Sequence, residues 1–106
     1  MKDKHTELAE LLEERSHHYG LFTGIGKHAQ RIKNAIQAGD NWPHLRDDER
    51  EALDMLAHKL ARILSGDPDI VDHWLDAAGY LKLISDRMER EGKQQTDEFR
   101  RQHSRG

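Results

Sequence analysis

Acidic side chains at helical spacing are the first feature of this sequence that points to chemistry. Glu51, Asp54, His58 and Arg62 recur at offsets of three, seven and eleven, which lines them along one strip of a helix. Asp72, His73 and Asp76 fall within a single turn of the next periodic segment. Two helices that each present close carboxylates could hold magnesium, which takes hard oxygen ligands and keeps several of its waters. Carboxylates that close repel one another, and a bound cation would remove that cost. Lys59 and Arg62 lie about one turn apart on the first acidic segment and could meet phosphate oxygens. Tyr19, Phe22 and Trp42, near segment ends, could stack on a base. Each group also has a plainer use. Charges opposite an apolar stripe commonly form a solvated face, and aromatics at helix ends commonly close a core.

The elements that must carry these residues are helical throughout, because apolar positions recur at three and four rather than alternating. A first helix is expected over residues 6–18, with Leu8, Leu11 and Leu12 on one stripe and Gly20 as its stop. A second starts near Thr23, buries Ile25, Ala29, Ile32 and Ile36, shows Lys27, Arg31 and Lys33 on its other face, and ends at Gly39. Asp40-Asn41-Trp42-Pro43 reads as a loop, since the residue before a proline disfavours the helical region. The third helix starts at Asp47 as N-cap, carries Leu53, Leu56, Leu60, Ile63 and Leu64, and closes at Gly66. Asp67-Pro68 should open the fourth, an acidic cap before a proline. Its apolar stripe is Ile70, Trp74, Ala77, Ala78, Leu81, Ile84 and Met88, and Gly92 is its stop. Asp72 and Asp76 lie away from that stripe. Gly79 continues their strip, and a helical glycine costs about 1 kcal/mol against alanine, which suggests close approach by a helix or ligand. The expected architecture is all-α, a bundle-like domain of four helices over residues 1–92, with 93–106 a frayed or disordered tail.

Composition narrows the function classes. The 106 residues allow one domain, and their 35% hydrophobic content is lean for a core of its own. A partner subunit would complete it, so a homo-oligomer is expected. The net charge of −3 argues against a general nucleic-acid binder. The chain has no cysteine, which excludes disulfides, thiolate metal sites and cysteine nucleophiles. No apolar run approaches the roughly 20 residues of a membrane helix, and Met1-Lys2-Asp3-Lys4-His5 lacks the core of a secretory signal. A cytoplasmic location is expected. Gly24-Ile25-Gly26-Lys27 is no phosphate-binding loop, because Leu21 and His28 stand where that motif needs glycine and a hydroxyl.

Residues 49–68, from Glu49 through Asp54, His58 and Arg62 to Asp67-Pro68, are followed by Val71-Asp72-His73-Trp74-Leu75-Asp76-Ala77-Ala78-Gly79-Tyr80. Together they resemble a family of small phage and prophage proteins, and Glu13-Glu14-Arg15-Ser16-His17-His18-Tyr19-Gly20 is similar to that family's opening motif. The resemblance covers most of residues 8–86. That family in turn resembles, more distantly, the all-α MazG-like nucleoside triphosphate pyrophosphohydrolases, which bind magnesium through Glu-x-x-Glu and Glu-x-x-Asp pairs on successive helices. The resemblance implies Glu51 and Asp54 as the first, catalytic pair, and His73 with Asp76 as the second, with Asp72 as a substitute ligand. Aspartate at 54 shortens the reach, and histidine at 73 is a poor magnesium ligand. It also implies a dimer or tetramer.

The resulting expectation is a magnesium-dependent nucleotide-binding domain, in catalytic form a pyrophosphohydrolase. Mg²⁺ would be held by Glu51, Asp54, Asp72 and Asp76, phosphates by Lys59 and Arg62, and base or sugar by Tyr19. The alternatives are a non-catalytic module that sequesters a nucleotide or signal molecule, and a phage protein that modulates a host protein.

Overall fold

The computed structural model describes residues 3–19 and 21–103, with the side chains of 16–19 left out. Four helices follow one another: α1 Lys4–Tyr19, α2 Phe22–Gln37, α3 Asp47–Ser65 and α4 Val71–His103, with a single 3-10 turn at Trp42–His44. Among the described residues there is no strand. The all-α expectation is therefore met.

α3 is the central element, packed against α2 on one side and α4 on the other. It runs antiparallel to both. Gly24, at the start of α2, faces Ser65 at the end of α3. Lys59, Glu49 and Arg46 pair in turn with Asp76, Arg87 and Glu91 along α4. The packing is close because its contact residues are small. Ala57 and Ala61 are fully buried, with Ala29, Ala52 and Ala77 nearly so, and Ile25 is the one larger apolar side chain in that group. Ile25, Ala29 and Ala61 form the α2–α3 contact. The leucines expected to fill the core, Leu53, Leu56 and Leu60, are only half-buried, and Leu64 is exposed. α1 touches α2 and α3 lightly, and Leu8, Leu11 and Leu12 stay exposed. Its expected apolar stripe has no covering partner among the described residues.

Two boundaries differ from the sequence expectation. Asp67-Pro68 does not cap α4. The Asp67 carboxylate accepts the Asp69 N–H at 2.8 Å, an Asx turn that competes with helix initiation. α4 starts at Val71, after the Trp74 indole N–H has donated back to the Pro68 carbonyl at 2.7 Å. At its other end α4 runs through Gly92 to His103, so residues 93–103 continue it as helix beyond the expected stop. One cause lies just upstream, where ion pairs pin α4 to the start of α3. Arg87 meets Glu49 at 2.6 Å, Asp48 at 3.0 Å and Glu91 at 3.4 Å, while Arg46 meets Glu91 at 3.0 Å. A single glycine costs only about 1 kcal/mol, too little to end a helix anchored one turn earlier. Glu49 does a second job, accepting the Arg46 N–H at 2.8 Å and so capping α3.

Candidate functional site

The α3–α4 pair has two flanks, and on one of them α2 supplies a third wall. There a pocket of about 460 Å³ is lined by Lys33 of α2, by Glu51, Asp54, Met55, His58, Lys59 and Arg62 of α3, and by Tyr80 of α4. The helical spacing of the α3 strip accounts for its share, because residues three and four apart share a face. Lys33 follows core residue Ala29 by four, and Tyr80 follows core residues His73 and Ala77 at seven and three. Both therefore flank buried stripes and lean towards α3.

The pocket sets three cations, Lys33, Lys59 and Arg62, beside two carboxylates, Glu51 and Asp54. Burial holds the His58 imidazole below its ordinary pKa, and the charges of Arg62, Lys33 and Lys59 depress it further. His58 is thus neutral near pH 7. Lys59 is tied to Asp76 of α4 at 2.9 Å, with little of the lysine side chain exposed. Asp54 Oδ1 is buried without a hydrogen-bond partner among the described residues. A buried carboxylate oxygen left in that state is costly, and a cation or a proton donor on a ligand would satisfy it.

The sequence expectations divide clearly here. Glu51, Asp54, Lys59 and Arg62 do line one cavity. Asp76 borders it through Lys59. Asp72 is exposed and lines no part of the pocket. The four acids expected to hold magnesium therefore do not gather in the chain. Among the described residues, no group of three or more His, Asp or Glu side chains could hold a metal. The physical reason is the rotation of α4. Its packed face is His73, Ala77, Tyr80, Ile84, Arg87 and Glu91, while Trp74, Leu81 and Met88 of the expected stripe are exposed. That rotation turns Asp76 towards the lysine and leaves Asp72 in solvent. His73, expected at the second acidic pair, is 2% exposed on the packed face. Nothing lies within 4 Å of a side chain placed at Gly79, so no helix of the protomer makes the close approach expected there. The Tyr19 side chain falls outside the described residues. Trp42 does not reach the pocket. Arg50 stacks on its ring at 5.5 Å and donates to the Trp42 and Pro43 carbonyls.

Sequence reasoning missed Lys33 and Tyr80 as site residues. Lys33 shares a basic face with Lys27 and Arg31 by spacing, and its offset of four from Ala29 is the signal that places it beside the buried stripe. Comparison with protein-family models, with curated proteins and with solved structures returned no match.

Proposed function

We propose that this chain binds a phosphorylated small molecule, a nucleotide first of all, in the pocket between α2, α3 and α4. The observation that carries the reading is the convergence of Lys33, Lys59 and Arg62 around His58 in one cavity. Three cationic side chains that depress a histidine make a field suited to phosphate oxygens. The volume is within the range of small-molecule sites, and Tyr80 offers a ring and a hydroxyl for base or sugar.

Mg²⁺ fits this reading in a restricted form. Magnesium is commonly held by one or two carboxylates plus substrate phosphates. Glu51 and Asp54 supply such a pair, and the unsatisfied Asp54 oxygen favours it. When bound there, the ion would neutralise phosphate charge and polarise a phosphoryl oxygen. Asp72 and Asp76 are not needed. Binding without turnover is better supported than pyrophosphohydrolase activity, because Asp76 is engaged by Lys59 and the second carboxylate pair is absent from the pocket. A phage origin and the MazG-like relationship belong to the same proposal. A role in modulating a host protein is the rival reading, and it predicts indifference to nucleotide.

The test is a panel of nucleoside mono-, di- and triphosphates, each with and without Mg²⁺, read by melting temperature and by pyrophosphate release. Stabilisation by at least one nucleotide, without release, is the expected result. No shift with any member of the panel contradicts the proposal, and pyrophosphate release would restore the hydrolase reading.

A further inference from the structure

The other flank of α4 carries an exposed seam at alternating steps of three and four: Trp74, Ala78, Leu81, Ser85, Met88 and Gly92. All six are exposed, with Trp74 at 55% and Leu81 at 47%. A repeat of seven residues with two seam positions is the geometry by which one helix packs along another. Large and small residues alternate strictly along it. Trp74, Leu81 and Met88 occupy one heptad position, and Ala78, Ser85 and Gly92 the other.

We propose that a second copy of this chain covers the seam, its α4 lying antiparallel to the first. In an antiparallel pair, residues of one heptad position face those of the other. Centring the pair at the level of residue 83 then sets Trp74 opposite Gly92 of the second copy, Leu81 opposite Ser85, and Ala78 opposite Met88. Every layer joins one large and one small side chain. The pattern is self-complementary, as a two-fold interface requires. The polar atoms on the seam are already satisfied within the chain. The Trp74 indole donates to Pro68 and the Ser85 hydroxyl to the Lys82 carbonyl, so burying them strands no donor. Beside the seam, an apolar groove of about 280 Å³ between α3 and α4, with Leu45 and Leu53 in its wall, continues the surface.

The area agrees. The chain exposes 8499 Å², against about 6,100 Å² for a compact monomer of its 12.3 kDa mass. The excess, roughly 2,400 Å², is of the order that each subunit contributes to a large obligate interface. The projecting end of α4 accounts for part of it, but between residues 93 and 103 Phe99 is the one large apolar side chain. The uncovered apolar surface therefore lies on α1, on the first half of α4, and at Leu21, Phe22 and Leu64 where α2 starts and α3 ends. The seam is on the opposite flank from the cationic pocket, so this pairing stands or falls independently of any ligand.

The full chain should sediment at twice its monomer mass at about 10 μM, and a monomer at that concentration overturns the proposal. Leu81→Glu should weaken association by roughly 100-fold or more, since two carboxylates would be buried unpaired. Leu83→Glu, equally a leucine lost from the exposed surface of α4 but off the seam, should leave association unchanged. Retained helicity by circular dichroism separates loss of pairing from loss of folding. Orientation is read with cysteines, since the chain has none of its own. Ala78→Cys and Met88→Cys protein, mixed and oxidised, should cross-link to each other and neither to itself. Self-linking of either variant alone, or no cross-link in the mixture, overturns the antiparallel pairing.

Discussion

The two flanks of the α3–α4 pair are built from one packed spine yet differ in almost every property. On the pocket side α2 adds a wall, and the lining residues are two carboxylates, three cations, a histidine, a tyrosine and a methionine. On the seam side no helix among the described residues covers the surface, and the groove lining is mostly apolar, with Leu45, Leu53, Leu81, Ile84 and Met88 beside Glu49, Ala52 and Ser85. The comparison teaches where each side's partner must come from. The polar flank is walled by three helices of the chain, and it is where we place a small charged ligand. The apolar flank is left open, and it is where we place the second copy. Both rest on the alanines between them, whose small size brings three helices close.

The largest effect is expected at that shared spine. Ala57→Leu adds three carbons at a fully buried position and should cost about 1–3 kcal/mol of stability, measured by urea denaturation. Both flanks should suffer together. If ligand binding or pairing survived unchanged beside a clear loss of stability, the two flanks would not share one frame.

A step smaller is the acid response of the clamp between α3 and α4. The Arg46 N–H and the Arg87 guanidinium hold the Glu49 carboxyl below its ordinary pKa. A carboxyl with a depressed folded-state pKa contributes stability that is complete above its unfolded pKa and is lost as pH falls through the folded one. Thermal stability should therefore decline as pH drops below the ordinary glutamate range. Glu49→Gln should start lower at neutral pH and lose less on acidification. A variant that tracked the wild type across the whole pH range would show that the clamp does not matter.

Lys33→Ala sharpens the comparison from the pocket side alone. Losing one charged phosphate contact should reduce nucleotide affinity by roughly tenfold or more, with self-association untouched. The smallest effect is at His58. Its pKa is depressed by burial and by three nearby cations, and a bound phosphate would neutralise part of that charge. Imidazole resonances followed by NMR should titrate at higher pH in the presence of nucleotide, with His58→Gln identifying the signal. The same depression predicts that the ligand-free protein loses some stability as pH falls through the ordinary histidine range, because the unfolded chain takes up that proton first. An unmoved titration would mean that the ligand does not approach these cations.

Much of the fold was legible because periodicity reports which residues share a face. The order of four helices, the stop of α3 at Gly66 and the Glu51–Arg62 strip all follow from spacing within one helix. What spacing cannot report is how far a helix rotates about its axis against its neighbours. α4 carries apolar residues on two sides, His73 with Ala77 and Ile84 on one, Trp74 with Leu81 and Met88 on the other. The sequence reading merged the two into a single stripe. Asp72 and Asp76 do lie off the packed face, but only Asp76 turns towards α3, where it meets Lys59, so the four carboxylates do not gather. The Asp67-Pro68 signal failed for a local reason, since the same aspartate that caps a helix can close an Asx turn. Lys33 and Tyr80 were missed because a site shared by three helices is set by tertiary contact.

Calorimetric titration of a nucleoside triphosphate with Mg²⁺ into wild type, Lys33→Ala and Leu81→Glu tests the central claim most directly. The account predicts binding to the wild type, at least roughly tenfold weaker binding to Lys33→Ala, and unchanged binding per chain to Leu81→Glu. Equal affinity in wild type and Lys33→Ala, or no heat with any of the three, would contradict it.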